Sequence, residues 1–353
     1  MPRSVALVSL SAFACVGAIA GCATSKLAYS PDELRLELAR RAPSIPPEEI
    51  VVPYEIDASQ LALARTLVRY AKSDTDRVRI LTEAFSDPKI FGLRYEPTVT
   101  VDARQTLKNK EGNCLSLSSV FIGLARAAGL EAYYVDASVR IHERRFEDNH
   151  GLSIDIGHVS VMIKTTDEAI GLDFAQLGRV RWYRLISDLE ALAHFFNNRG
   201  FELIDIAQQS GREVDWSQVR HDFWLALQVQ PSFARAWNNL GIAEAHLSHH
   251  QEAIAAYRNA IAHQPDLAAA HNNLGSLYLE MGENALAVKS LETAEKLEPG
   301  GSHIRYNLAI ARLRLGDRAG AIRALRQAID LRSSDAQARL LLDELAPLEK
   351  AAR

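Results

Sequence analysis

The sequence predicts two domains of different class, an α+β domain over residues 51–206 and an all-α repeat array over residues 207–353. Three observations predict this. The 353 residues are 48% apolar and 24% charged, a length and composition that suit two globular cores better than one. In the first part, helical spacing gives way to strand-like alternation, the order expected of an α+β domain. In the second, residue types recur at an interval of 34. Charge narrows the function classes. With 40 Lys+Arg against 44 Asp+Glu the net charge is −4, which gives no long-range attraction for nucleic acid and no basic patch to hold a membrane. Three cysteines cannot build a disulfide framework, so each thiol needs its own explanation.

At the N-terminus Arg3 precedes an apolar run from Val5 to Ala20, and no further charge appears before Lys26. About 20 apolar residues are needed to cross a bilayer, so this shorter run reads as a secretory signal. It ends Ile19-Ala20-Gly21-Cys22, which resembles the bacterial lipoprotein lipobox. The resemblance implies a signal over 1–21 and a lipid on Cys22. It also implies a periplasm-facing lipoprotein, with Ala23 leaning toward the outer membrane. Cleavage would remove Cys15 and leave Cys114 as the one free thiol. An unpaired thiol in an oxidising compartment points to retention for its chemistry. Pro31, Pro43, Pro46, Pro47 and Pro53 crowd the next stretch, which reads as a tether over 22–50 and a loose lead-in rather than a packed element.

Helical patterning begins near Asp57, with Leu61, Ala64, Leu67, Val68 and Ala71 on one face, and a second helix is expected from Thr75 to Phe85. After the turn-like Gly112-Asn113, the spacing of Leu117, Val120, Phe121, Leu124 and Ala125 predicts a helix that stops at Gly129. Cys114 is then in its first turn, where the helix dipole and unpaired N–H groups favour a thiolate and could hold an oxyanion. Residues 154–163 read as a strand, with Val159, Val161 and Ile163 on one face and His158, Ser160 and Met162 on the other. Residues 170–174 alternate again after a polar turn. In a hairpin with a two-residue loop His158 lies opposite Asp173, and with a four-residue loop the two are diagonal neighbours. In both registers they share a face, so the carboxylate could orient the imidazole toward a thiol.

Together Gly112-Asn113-Cys114, the helix ending at Gly129-Leu130, the strand from Glu131 to Ala137, Gly157-His158-Val159 and Leu172-Asp173 resemble the transglutaminase-like superfamily, a papain-like α+β fold. The resemblance covers about Val51 to Ile206. It implies Cys114 as nucleophile, His158 as base and Asp173 as its orienting partner, acting on an amide or peptide bond as a hydrolase or acyltransferase. No metal or organic cofactor is implied, and a zinc site from Cys114, His142 and His158 lacks ligand spacing. Asn113 replaces the glutamine of many eukaryotic relatives, and their tryptophan after the cysteine is absent, which argues against assuming protein cross-linking. His142 and His150 flank a charged loop that could gate the site. The helical stretch from near Leu189 through Phe195 to Gly200 could cover it or join the domains.

In the second part, Pro231, Pro265 and Pro299 share the 34-residue interval with Leu240, Leu274 and Leu308 and with Ala253, Ala287 and Ala321. The pattern looks like three tetratricopeptide repeats, near 231–264, 265–298 and 299–332. Phe223, Ala226 and Pro231 fit half of an earlier degenerate repeat, and Ser333 to Leu345 reads as a closing helix. The fold class is thus a papain-like, transglutaminase-like α+β domain followed by an all-α tetratricopeptide solenoid, whose concave face is implied to bind a protein or peptide. Asn238, Asn239, Asn272, Asn273 and Asn307 recur along the first helices. Their amides could bond a ligand backbone or neighbouring helices. Arg235, Tyr306 and Arg312 are expected to be exposed contacts. The competing functional reading is a non-catalytic adaptor with a degenerate first domain.

Overall fold

The computed structural model describes residues 6–8, 26–137, 146–147, 153–154, 158–175, 184–332 and 336–351. Cys22, His142 and His150 lie outside them. No helix among the described residues is long and apolar enough to cross a membrane. Two compact units are present, one made of Met1–Glu143 and Ile156–Pro231, the other of Arg144–Asp155 and Ser232–Arg353.

The first unit holds a short strand β1 (Ala6–Val8) and then α1 (Pro31–Arg41), which corrects the expectation of a loose tether. Pro31 occupies the first turn, where a missing N–H costs nothing, so the proline that reads as a breaker starts a helix. Ser30 and Glu33 form a reciprocal capping box, and Leu34 and Leu38, one turn apart, are buried. Val52, Tyr54 and Ile56 continue the burial into the domain. Next come α2 (Ala58–Val68) and α3 (Asp74–Ser86), as expected, and a short parallel pair β2 (Arg94–Tyr95) and β3 (Glu111–Gly112) flanking α4 (Ala103–Asn109).

The central helix α5 (Cys114–Ala127) is buried from Cys114 to Ala125 and packs on the strands β4 (Glu131–Asp136) and β7 (Val159–Lys164). Gly129, at φ 80°, ends it as expected. Between β4 and β7, the chain forms a two-stranded ribbon of β5 (Phe146–Glu147) and β6 (Ser153–Ile154), which belongs to the second unit. With β8 (Ala169–Asp173) and β9 (Arg184–Ile186) the main sheet has the order β1-β8-β7-β4-β9, every pairing antiparallel.

Two further helices, α6 (Asp188–Gln209) and α7 (Trp216–Val229), close the first unit, which moves the boundary from 206/207 to 231/232. The shift has a packing cause. A Cβ on Gly200 would stand 2.8 Å from the Phe223 ring, the same close approach that Gly241 makes to Tyr257 in the first full repeat. The degenerate repeat is therefore completed by α6, a helix the first domain also uses.

The second unit stacks α8 (Ala234–His246) on α9 (His250–His263), α10 (Ala268–Glu280) on α11 (Asn284–Leu297) and α12 (Ser302–Arg314) on α13 (Arg318–Leu331), with α14 (Ala336–Ala351) closing the array. Gly282 and Gly316 take left-handed φ values of 79° and 83° at the turns within the second and third repeats, and Ser248 takes the same place in the first at φ 61°. First helices of neighbouring repeats approach one another, whereas second helices pack less closely, so the stack curves with α8, α10 and α12 on the inside.

Candidate active site and repeat face

Cys114 opens α5, as the sequence predicts. Asn113 precedes it as N-cap: its side-chain oxygen accepts from the Ser116 N–H at 3.0 Å, and its own N–H donates to the Val99 carbonyl at 2.8 Å. Two of the four donors at this helix end are satisfied this way. The other two, on Cys114 and Leu115, have no intrahelical acceptor and are in place to receive negative charge. Cys114 itself is 7% exposed.

The loop before Cys114 is held by side chains that sequence reasoning missed. Asn113 Nδ2 donates to Thr100 Oγ1 at 2.6 Å, the Val101 N–H donates to Ser116 Oγ at 2.9 Å, and the Ser116 hydroxyl donates to the Val99 carbonyl. Behind Thr100 stands Glu202 of α6, whose Oε2 accepts the Thr100 N–H at 2.5 Å. Burial pushes the Glu202 carboxyl up from 4.5 to about 7. A pKa raised in the fold favours the folded state while the group is protonated. That contribution is complete below 4.5 and is lost as pH rises through about 7. Glu202→Gln, which stays neutral, is expected to weaken the fall of the urea midpoint between pH 5 and pH 8. An unchanged pH dependence of unfolding would refute the assignment.

The hairpin takes the four-residue loop, Thr165 to Glu168, closed by the Thr165 N–H donating to the Glu168 carbonyl at 2.9 Å. Val161 pairs with Leu172 and Ile163 with Ile170, so Asp173 falls opposite Ser160 and diagonal to His158. The diagonal is short enough: His158 Nε2 lies 3.0 Å from Asp173 Oδ1, and Ser160 Oγ lies 3.1 Å from the same nitrogen. An ionised carboxylate only accepts hydrogen bonds, so Nε2 carries the proton in this pair and Nδ1 is the nitrogen that can act as base. Asp173 is fixed in turn. Its Oδ1 also accepts the Ala175 N–H at 3.0 Å, and Phe174 stacks on Phe85 at 4.9 Å and tilts against Phe121 of α5 at 5.9 Å.

One contact aligns the helix with the strand. The Ser118 hydroxyl donates to the carbonyl of Val159, the residue after His158, at 3.3 Å. Ser118 and Cys114 are one turn apart on the same face of α5, a rise of about 6 Å. The face that carries the thiol is thus the face laid against the start of β7.

On the repeats, the asparagines make the contacts between neighbouring helices that were one of their two expected uses. Asn238, Asn239, Asn272 and Asn273 are fully buried and Asn307 is 6% exposed. Their amides bond across repeats: Asn273 Nδ2 donates to Asn238 Oδ1 at 2.9 Å, and Asn307 Nδ2 donates to Ser276 Oγ at 3.0 Å and to Asn272 Oδ1 at 3.4 Å. A short amide is able to reach the neighbouring helix because first helices crowd on the inside of the curve. Tyr306 is half-buried against the closing core, Arg235 is half-buried, and Arg312 pairs with Glu292 at 3.0 Å, so none of the three is the exposed contact expected.

Comparison with known families agrees with these two architectures. Residues 61–173 match the model of the transglutaminase-like superfamily. Residues 249–282, 268–300 and 306–342 match three tetratricopeptide repeat models. No curated protein matches the chain. Among solved structures, MamA from Desulfovibrio magneticus RS-1 is similar at 18% identity and a TM-score of 0.37, over 43% of this chain and 85% of that one. A second MamA crystal structure is similar at 23% identity and a TM-score of 0.36, over 41% and 81%. The first tetratricopeptide domain of Spaghetti (RPAP3), bound to an HSP90 peptide, is similar at 18% identity and a TM-score of 0.33, over 33% and 93%. The chain is a transglutaminase-like core domain followed by tetratricopeptide repeats, the repeats being of a kind that mediates protein–protein binding.

Proposed function

We propose that the protein is a lipid-anchored cysteine hydrolase or acyltransferase acting on amide or peptide bonds, with the repeats recruiting a protein. The observation that carries this reading is the buried His158–Asp173 pair at 3.0 Å, on a strand laid against the thiol-bearing face of α5. Cys114 attacks the substrate carbonyl as thiolate, and its proton passes to His158 Nδ1. Asp173 stabilises the imidazolium through Nε2, and the N–H groups of Cys114 and Leu115 bind the oxyanion. His158 returns the proton to the leaving amine, and the acyl-enzyme passes to water or to an amine. The lipobox at 19–22 supports anchoring through Cys22 at the periplasmic side of an envelope membrane, and cleavage there removes β1 and leaves β8 at the edge of a four-stranded sheet.

The adaptor reading is favoured by one observation, the burial of Cys114 at 7% exposure. A thiol electrophile presented across pH separates the two. In the enzyme reading, His158 activates the Cys114 thiol toward the electrophile, and His158→Ala abolishes that enhanced reactivity. Ordinary reactivity in both proteins would leave the adaptor.

A further inference from the structure

The ribbon of β5 and β6 sits in the chain between β4 and β7 of the first domain, yet it packs with the repeats. Phe146 pairs with Ile154 and Glu147 with Ser153, and β6 lies directly against α8 and α10. These are the first helices of two successive repeats, on the inside of the curve. They also carry Asn238, Asn239, Asn272 and Asn273, each fully buried on a face that a solenoid ordinarily presents to a ligand. An extended strand across the inner face is how such a surface takes a peptide. Here the strand is the chain's own.

We propose that the β5–β6 ribbon is the resident ligand of the repeat face, and that an external protein or peptide engages α8 and α10 by displacing it. The ribbon is tethered at both ends. It leaves the first domain beyond Asp136 and is back in it by His158, four residues after Ile154. Such a tether holds the segment at an effective concentration on the order of millimolar, so a trans ligand of similar affinity competes poorly until it is abundant or makes added contacts. This inference stands on the repeat face alone and does not depend on whether Cys114 is catalytic.

The test uses the full chain with residues 144–155 replaced by a glycine-serine run of equal length. Its probe is a fluorescent synthetic peptide carrying the sequence of residues 144–155. The peptide is expected to bind the replaced chain saturably and wild type at least about tenfold more weakly, since the tethered copy holds the face. A scrambled peptide should bind neither. Absence of saturable binding to the replaced chain, or equal binding to both proteins, would overturn the proposal. Hydrogen exchange on wild type gives a second measurement that needs no segment replacement. The amides of 153–154 are expected to be protected, and saturating amounts of the synthetic 144–155 peptide should speed their exchange while leaving β7 and β8 unchanged. Unprotected 153–154 amides in wild type, or exchange unmoved by saturating peptide, would refute it independently.

Discussion

Asp173→Asn is expected to slow acylation of Cys114 by an activated ester about 10²- to 10⁴-fold, with little change in stability. The substitution keeps the shape of the side chain and changes its hydrogen-bonding sense. A carboxylate at 3.0 Å from His158 Nε2 obliges that nitrogen to carry the proton and leaves Nδ1 basic. An amide can turn its NH₂ toward Nε2 instead, which moves the proton to Nδ1, the position that must receive one from the thiol. The negative charge that would stabilise the imidazolium is lost as well. Ser160, whose hydroxyl lies 3.1 Å from the same nitrogen, can donate or accept and so does not dictate the tautomer. Ser160→Ala is therefore expected to cost far less than Asp173→Asn. Pre-steady-state acylation rates measure both, and equal rates in wild type and Asp173→Asn would remove Asp173 from the catalytic assignment.

Asp188→Ala is expected to destabilise the first unit by about 3–5 kcal/mol, a large share of the roughly 5–15 kcal/mol that holds an ordinary domain. Asp188 begins α6 and is almost completely buried. Its two oxygens accept both terminal nitrogens of Arg126 at 2.8 Å, and Oδ2 also accepts the Tyr29 N–H at 2.8 Å. Arg126 lies over the Tyr54 ring at 4.8 Å, and Tyr54 donates through its hydroxyl to the Tyr29 carbonyl at 2.9 Å. One carboxylate therefore joins the lead-in to α1, the end of α5 and the start of α6. Removing it leaves a guanidinium in a poorly hydrated place with no anionic partner, and the penalty comes mainly from that orphaned charge. Replacing Arg126 and Asp188 together with leucine is expected to recover much of the loss. Urea unfolding of the three variants measures this, and a midpoint in Asp188→Ala within error of wild type would refute the joint.

Much of the candidate site is legible in the primary structure because its cues are short-range. Gly112-Asn113 before an apolar helical pattern places Cys114 at a helix start, and period-two alternation puts His158 and Asp173 on one face whichever loop closes the hairpin. Period-two alternation does not specify the loop length, which Thr165 decides by bonding back to Glu168. The missed residues act through contacts with no local pattern. Thr100 and Glu202 are 102 positions apart, and the raised Glu202 carboxyl follows from burial that no neighbouring residue foretells. Helix α1 is hidden for the opposite reason, because its local cue is ambiguous: proline breaks a helix in its interior but is welcome in its first turn.

The primary structure by itself determined α2, α3, α5 and the repeat helices, the repeat period, the strand faces and the identity of the three residues offered for chemistry. Each of these follows from spacing along the chain, and spacing is a local property. The tertiary structure alone decided that the repeat asparagines bond one another, that a ribbon inserted in the first domain belongs with the second, and that one carboxylate holds three segments together. Those outcomes depend on which surfaces meet and how much water is excluded when they do, and backbone periodicity carries no information about either.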